Sequence, residues 1–228
     1  MAIRIEPREP RTQSQGVEPG YAQTAQRWPA QPLQRRPHTA SELTGPSSVL
    51  RRLAPVRGDL AGRGATRAIG QLIHLRTRVV DEDGVPLPGA VVEIWHCNAA
   101  GKYIHPNDTH DAPEDPNFYG AARMVAGDGG LVELRTIKPG AYPVPGTGGW
   151  WRPPHVHFSV WGRVWLSRLV TQMFFPGEPL NEADAILNAI RDPEARERCI
   201  ARFVPSEKHL IYDYQLVVRG CKGTPGMP

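Results

Sequence analysis

Alternation of apolar and polar residues is the clearest pattern in this chain, and it begins near Arg67. Side chains two residues apart lie on the same face of a strand, so this pattern predicts strands with one face in a core. Turn residues such as Glu82-Asp83-Gly84 separate the predicted strands. The fold expected is all-β, an antiparallel β-sandwich with long loops. Its six predicted strands are residues 71–81, 90–96, 131–137, 155–161, 168–175 and 210–219.

Two stretches near the C-terminal end interrupt the alternation. Residues 181–190 and 193–203 are rich in helix-favouring residues. Asp192 followed by Pro193 is typical of a helix start, because aspartate caps the free backbone N–H groups and proline suits the first helical position. The sequence therefore predicts a short helical insert near 181–203.

The segment before the strands differs in pattern and in charge. Residues 1–66 show no sustained period and contain eight prolines. Up to residue 68 the chain has 11 Arg, no Lys and 5 acidic residues, a net charge of +6, and the remainder carries −2, giving +4 in all. These features predict a basic, Pro-rich arm at 1–66 and a sandwich domain at 67–228. Because the arginines are scattered and no recognition helix follows, we expect the arm to wrap a partner subunit and not nucleic acid.

Composition bears on the compartment. No apolar run approaches the roughly 20 residues needed to span a bilayer, so we expect no membrane segment. The first fifteen residues lack the apolar core of a secretory signal. Cys97, Cys199 and Cys221 are far apart, odd in number and without zinc-like spacing, which favours a reducing cytoplasm. The 23 glycines and 24 prolines in 228 residues suit a turn-rich β protein.

The first candidate for chemistry is the pair His155 and His157, in W-R-P-P-H-V-H-F at 151–158. On a strand both imidazoles lie on one face and can reach one metal ion, although such a pair also fits a hydrogen-bonded core. Zinc sites need further Cys, His or carboxylate ligands, which are missing nearby. No acidic residue occurs between 158 and 172, and no HxD or HxE is present, so cupin-like and ferrous 2-His-1-carboxylate sites do not fit.

Two tyrosines offer a different ligand set. Tyr142 lies in a loop 13 residues before His155, and Tyr103 lies in the loop after the second predicted strand. A phenol normally has a pKa near 10, but a trivalent cation can displace its proton, and the hard phenolate oxygen favours ferric over ferrous iron. Ordinary packing of both tyrosines in their loops is the alternative, and the residues alone leave it open.

Six ordered stretches resemble the intradiol ring-cleavage dioxygenases. Two shorter stretches, E-P-G-Y at 18–21 and T-G-P-S at 44–47, resemble motifs in the arm of that family's iron-binding chains. The likeness covers nearly the whole chain and is densest over 71–220. The six stretches are V-E-I-W-H-C-N-A-A-G-K-Y-I-H-P-N-D (92–108), D-P-N-F (115–118), R-T-I-K-P-G-A-Y-P (135–143), W-R-P-P-H-V-H-F-S (151–159), T-Q-M-F-F-P-G-E-P-L (171–180) and Y-Q-L-V-V-R-G (214–220).

The resemblance implies a cofactor, a reaction and partners. Tyr103, Tyr142, His155 and His157 would bind one Fe(III) ion, with a solvent hydroxide as fifth ligand. The reaction implied is O2-dependent cleavage of a catechol between its two hydroxyl-bearing carbons, with protocatechuate as the first candidate and 3-carboxy-cis,cis-muconate as its product. Tyr142 would leave the iron and act as a base. Iron-binding chains of this type pair with a related α chain that lacks the ligands, so the partner expected is such a chain or a second copy.

The resemblance also implies roles for neighbouring residues. Arg152 would stabilise negative charge at the substrate ring, and Gln172 would line the oxygen side of the pocket. Trp95 and Ile186 would shape the substrate cavity, although ordinary core packing fits them equally well. Tyr21, in the arm, would contact the substrate.

One departure from the family's pattern follows Tyr142. The iron-binding chains usually read Tyr-Pro-Trp and then a basic residue, whereas this chain has Val144 and Pro145. Losing the aromatic and the cation enlarges the pocket and removes a partner for a substrate carboxylate, so a different catechol or hydroxyquinol is the alternative substrate. From another class, the turn G-V-P-L-P-G-A at 84–90 resembles one in carbohydrate-binding or transthyretin-like sandwiches, which leaves a non-enzymatic binding module as an alternative.

Overall fold

The computed structural model describes residues 58–63, 65–161 and 168–227, together with Gln13 and Gln31. Most of the predicted arm, including Tyr21, therefore lies outside the described residues. The strands are β1 (Gly62–Arg63), β2 (Thr66–Arg67), β3 (Leu72–Val80), β4 (Val91–Trp95), β5 (Ala121–Val125), β6 (Leu131–Ile137), β7 (Tyr142–Pro143), β8 (Trp151–Arg152), β9 (His155–Trp161), β10 (Arg168–Phe174), β11 (Arg202–Val204) and β12 (Leu210–Val217). The helices are α1 (Ala185–Asn188) and α2 (Pro193–Glu197), with 3₁₀ turns at Asp128–Gly130 and Pro179–Ala183.

Two four-stranded sheets face each other, as the alternating pattern predicts. Sheet A has the order β10-β9-β4-β5 and is antiparallel throughout. Sheet B has the order β11-β12-β3-β6, in which β12 and β3 run parallel and the other pairs antiparallel. The predicted all-β sandwich is confirmed, with this one parallel pair as an addition, and all six predicted strands are present within two residues of their expected bounds.

The main core lies between the sheets and explains why the strands alternate. Side chains at every second position are buried there, and the strands' other faces look away from the core. Burial of this apolar area is the main favourable contribution to stability. The core side chains nearest to the chemistry described below include Val92, Ile94, Val156, Phe158, Val160, Leu169 and Met173.

The helical insert is present but shorter than predicted. Asp184 and Asp192 cap α1 and α2, and each accepts hydrogen bonds from backbone N–H groups of its helix. The prediction of helix for 193–203 is wrong beyond the end of α2, since β11 there pairs with β12. Residues of the insert pack with Phe174 of β10 and with Met227 in a second, smaller core, to which the insert contributes Ile186, Leu187, Ile190, Ala195 and Cys199.

Residues just before Arg67 also pack on the sandwich. Leu60 and Ala61 are buried in the main core, and the Leu60 backbone N–H donates to the Arg135 carbonyl. From the arm, the Gln13 side-chain oxygen accepts a hydrogen bond from the Gly226 N–H, 2.7 Å away. Across the described residues, no helix has the length and apolar character required to cross a membrane.

Candidate metal centre and active site

Both candidate histidines lie on the face of β9 that looks away from the main core. Val156, Phe158 and Val160 of the same strand enter the core, so the alternation places His155 and His157 opposite them. Strands on both sides fix their positions by register. His157 lies across from Trp95 on β4 and from Gln172 on β10.

Aromatic packing and one hydrogen bond orient the two rings. His157 stacks on Trp95 with ring centroids 4.9 Å apart and planes 7° apart. His155 stacks on Phe174 at 5.7 Å. The Nδ1–H group of His155 donates to the Pro153 carbonyl at 2.7 Å, which places the proton on Nδ1 and leaves the Nε2 lone pair facing the site.

Both imidazoles are neutral at physiological pH, as metal ligands must be. Burial, with smaller contributions from the Arg152 cation and from His157, holds the pKa of His155 well below its usual value. The pKa of His157 is lowered to about 3, chiefly by burial and then by Arg152.

Tyr103 is held in a loop by side chains that satisfy its backbone. The Asn98 side-chain oxygen accepts from the backbone N–H groups of Ala100 and Lys102, both at 2.9 Å. The Tyr103 N–H donates to the Asp108 carboxylate at 2.7 Å. These side chains supply hydrogen bonds that a loop cannot obtain from a β-ladder. They therefore fix the backbone from which the Tyr103 side chain projects.

Tyr142 lies on the two-residue strand β7, directly opposite Arg152 on β8. The loop that carries it crosses the Tyr103 loop at very short range, because two glycines leave room. A Cβ atom on Gly140 would lie 2.4 Å from the Ala99 carbonyl oxygen, and one on Gly101 would lie 2.3 Å from the Ala141 carbonyl oxygen. The crossing brings the two tyrosine rings edge to face, with centroids 5.4 Å apart.

Four side-chain atoms from these elements form a chain of short contacts. Tyr142 Oη is 3.3 Å from His155 Nε2, which is 3.2 Å from His157 Nε2, which is 3.2 Å from Tyr103 Oη. Atoms about 2.0–2.2 Å from one ion and roughly 90–110° apart are separated by about 2.8–3.6 Å. The three successive distances among these four residues, called the donor set below, therefore match the spacing between neighbouring ligands of a single small cation.

The chemistry of the donor set favours a highly charged ion. Burial and the neighbouring Tyr142 raise the pKa of Tyr103 well above its usual value, so its phenol stays protonated unless a strong positive charge is beside it. Among the described residues, no group of three or more His, Cys, Asp or Glu side chains is arranged to hold a metal ion. Two phenols and two imidazoles fit a hard trivalent cation such as Fe(III) better than zinc or a ferrous triad.

Arg152 and Gln172 adjoin the donor set from the side of β10. Arg152 has no exposed surface, and its Nη1 lies 3.3 Å from His155 Nε2. Its Nη2 donates to the Gln172 side-chain oxygen at 2.7 Å. Its Nε donates to Asp184 at 2.9 Å, and neither partner of this ion pair is exposed.

The remaining predicted residues are distributed differently. Trp95 borders the site through its stacking on His157, while Ile186 is buried in the second core, so its role in a substrate cavity stays a prediction. Sequence reasoning missed Asn98, Asp108 and Asp184, which bind backbone or Arg152. Asp184 stands before an apolar helical stretch, where aspartate is a common cap, and that was the one available signal.

Known dioxygenases are similar to this chain in sequence. A family model described as "Dioxygenase" matches residues 43–220. The protocatechuate 3,4-dioxygenase beta chain of Burkholderia cepacia is 40% identical over 216 residues, which are 92% of this chain and 91% of that protein. The hydroxyquinol 1,2-dioxygenase of Rhizobium sp. (strain MTP-10005) is 30% identical over 128 residues, 51% of this chain and 42% of that protein.

A solved structure shares the fold. The 3-chlorocatechol 1,2-dioxygenase of Rhodococcus opacus 1CP superposes with a TM-score of 0.53 and 25% identity, covering 69% of this chain and 62% of that one. The match over most of the sequence decides against a non-enzymatic sandwich module. The chain belongs to the intradiol ring-cleavage dioxygenase family.

Proposed function

We propose that the chain binds one Fe(III) ion through the donor set and cleaves protocatechuate with O2 to 3-carboxy-cis,cis-muconate. The main observation in support is the series of 3.2–3.3 Å contacts among two phenol oxygens and two imidazole nitrogens. The 40% identity to a protocatechuate-cleaving chain supports the substrate. When bound, the ferric ion supplies Lewis acidity that activates the catechol for reaction with O2.

The histidines and Tyr103 serve as the permanent anchor in this proposal. His155 and His157 are fixed by strand register and by stacked rings, and Tyr103 by the hydrogen bond from its N–H to Asp108. Anchors that do not move keep the reacting groups aligned, which lowers the entropic part of the barrier.

Tyr142, unlike these permanent anchors, is the residue that moves and takes up a proton in this proposal. A neutral catechol must lose two protons to bind through both oxygens, so bases are required at the site. Tyr142, which would be a phenolate while it helps to hold the ferric ion, would accept one of these protons at Oη, and the solvent hydroxide implied by the family resemblance would accept the other. The position of Tyr142 on a two-residue strand suits its movement, because β7 has β8 as its ladder partner and lies outside both four-stranded sheets.

Arg152 stabilises the negative charge that develops on the substrate. Its guanidinium is fully buried, and a fixed cation in a dry site acts more strongly than one in water. Gln172 holds the guanidinium through the 2.7 Å hydrogen bond, and in this proposal it also lines the oxygen side of the pocket. Trp95, Ile186 and Tyr21 complete the substrate cavity in this proposal.

The chain after Tyr142 favours hydroxyquinol or another catechol as the second candidate substrate. Val144 is 5% exposed and its N–H donates to the Trp150 carbonyl, so this position offers packing and no charge. Pro145, the next residue, also has no positively charged side chain. A substrate carboxylate therefore needs a partner elsewhere, whereas hydroxyquinol has no carboxylate to place.

Anaerobic titration of the iron-loaded protein with protocatechuate, catechol and hydroxyquinol, followed by O2 and product identification, tests the proposal. We expect a burgundy protein, from phenolate-to-iron charge transfer, and a muconate product with protocatechuate preferred. A colourless iron-loaded protein would contradict the donor set. Cleavage beside the diol would contradict the reaction, and preference for hydroxyquinol would move the substrate to the second candidate.

The working form that we propose is cytoplasmic and oligomeric, with a related α chain or a second copy as partner. The relative's name identifies it as a beta chain, and the basic arm suits a wrap around a neighbouring subunit. Cys97 and Cys199 are buried free thiols and Cys221 an exposed one, as a reducing compartment allows. Sedimentation of the protein purified alone tests assembly, and a monomer with full activity would contradict it.

A further inference from the structure

The ion pair between Arg152 and Asp184 is the most deeply buried charged contact described in the molecule. Both side chains have no exposed surface, and the carboxylate makes two contacts with the guanidinium, at 2.9 Å to Nε and 3.2 Å to Nη2. Removing two charges from water is unfavourable, so such a pair needs good geometry to persist. The two-point contact fixes the plane of the guanidinium as well as its position.

The contacts of Nε and Nη2 fix the position of the third guanidinium nitrogen, Nη1. With Nε and Nη2 held by Asp184 and Gln172, Nη1 lies 3.3 Å from His155 Nε2, at the edge of the donor set. Asp184 is linked to the donor set by the Arg152 guanidinium, which contacts its carboxylate through Nε and Nη2 and His155 Nε2 through Nη1. Its effect on the chemistry therefore passes through Arg152.

Helix capping alone does not account for the ion pair. Asp184 Oδ1 accepts the Leu187 N–H at 2.8 Å, which caps α1. Asp192 caps α2 in the same way through Glu194 and Ala195 without contacting a buried arginine. The second contact of Asp184 is thus specific to the site.

We infer that Asp184 is a positioning residue for the reaction: it orients the Arg152 guanidinium toward the substrate and balances its charge while the site is empty of substrate. This inference rests on the proposed function, because it needs Arg152 to act on the reacting catechol. A buried arginine without its carboxylate would turn toward other acceptors or water. Its charge would then stabilise the transition state less.

The Asp184→Asn variant tests this inference, with Asp192→Asn as the matched control. We expect D184N to lose at least about tenfold in kcat with little change in KM, because the missing stabilisation belongs to the transition state. Iron content and the tyrosinate absorption band should match those of the wild type. D192N removes the same charge from the cap of α2 and should retain wild-type kcat. Wild-type kcat in D184N, or equal losses in both variants, would overturn the inference.

A double variant separates positioning from a general structural role. If Asp184 acts through Arg152, adding D184N to Arg152→Gln should change kcat by less than about twofold, since residues that act as a unit are not additive. The double variant also removes both charges, so it remains informative if D184N alone fails to fold. A further tenfold loss in the double variant would overturn the inference.

One structural measurement needs no catalysis. In the crystal structure of iron-free D184N, or of D184E should D184N fail to fold, the guanidinium should have left its contacts with His155 and Gln172. An unmoved guanidinium would overturn the positioning role. Displacement of the guanidinium together with an inactive wild-type enzyme would count against the proposed function and leave the placement by Asp184 established.

Discussion

The two halves of the donor set are built by different means. His155 and His157 belong to β9, which is flanked by β4 and β10 and backed by the main core. Tyr103 and Tyr142 lie on a loop and on a two-residue strand, held by isolated hydrogen bonds and by the close crossing at Gly101 and Gly140. The histidine half thus takes its geometry from the fold as a whole, and the tyrosine half from a few local contacts.

Under the proposed function, this difference would allow one scaffold to combine fixed ligands with an exchangeable one. A strand in the middle of a sheet moves only if its neighbours move, which suits permanent ligands. A residue at the edge, such as Tyr142, can change position at lower cost. The tyrosine half should therefore be more sensitive to small local changes, and the histidine half more tolerant of them.

The largest effect expected is from Tyr103→Phe, which removes one oxygen and leaves the ring. We expect kcat/KM to fall by about a thousandfold or more, roughly 4 kcal/mol of transition-state stabilisation, with loss of iron and colour. The melting temperature of the iron-free protein should hardly change, because the ring packing survives. Tyr212→Phe, in sheet B, removes a phenol oxygen from another buried ring and should retain iron. Full activity in Y103F would refute its place in the donor set.

The second effect concerns His96, which directly follows the last residue of β4 and is fully buried. Its Nδ1–H donates to the Cys97 carbonyl, its Nε2 accepts from Thr136, and burial lowers its pKa to about 4. An unfolded histidine titrates near 6.5, so between about pH 6.5 and 4 the unfolded chain binds a proton that the folded chain does not. The free energy of unfolding should fall as the pH decreases through this window, by about 3 kcal/mol at its lower end.

Urea unfolding of the iron-free protein between pH 4 and 7 measures this contribution. His96→Gln keeps an acceptor for Thr136 but does not titrate, so its unfolding free energy should fall less steeply with decreasing pH. The other histidines are present in both proteins, so the difference between the two slopes reports His96 together with its smaller electrostatic effect on His155 and His157. Identical slopes would contradict a neutral, buried His96.

The third effect is expected at the crossing of the two tyrosine loops. Gly140→Ala places a methyl group 2.4 Å from the Ala99 carbonyl oxygen, where the backbone must shift. We expect a loss of about 2 kcal/mol in unfolding free energy and weaker iron loading. Gly127→Ala is the control, since its Cβ would lie 3.8 Å from the Leu131 carbonyl oxygen, an ordinary van der Waals distance. Equal behaviour of the two variants would contradict the role of the crossing.

The smallest effect is expected in the histidine half. Trp95→Phe keeps an aromatic ring beside His157 but reduces the stacked area. We expect a loss of about 1 kcal/mol in binding of the catechol, seen as a several-fold rise in KM with iron retained. Loss of iron in this variant would show that stacking on Trp95, and not strand register alone, holds His157.

The same contrast explains what the sequence predicted. Alternation in H-V-H-F identified β9, and the period of two placed both imidazoles on one face. The strand at β5 was missed because Ala121 and Ala122 have low β propensity, and its pairing with β4 depends on tertiary contacts. The parallel pairing of β12 with β3 is likewise invisible to local patterns.

Phenolate chemistry made the two tyrosines candidate ligands, and the family resemblance favoured that role over ordinary packing in their loops, which their local sequence fits equally well. Loop positions depend on contacts between distant residues, such as Gly140 with Ala99. The buried partner of Arg152 depends on how the helical insert packs against β8 and β10. Local propensity carries no information on such contacts, which is why Asp184 and Asn98 were not anticipated.

The parallel pair of β3 and β12 has a consequence for how the centre is assembled. The long strand at the start of the sandwich takes as its neighbour the last strand of the chain, and the whole donor set lies in the stretch between Val80 and Leu210. Pairing strands so distant in sequence is slow, because the intervening chain must first be ordered. A ribosome releases β12 after every ligand has already emerged. Under the proposed function, we therefore expect the chain to bind iron only after synthesis, once β12 has paired with β3.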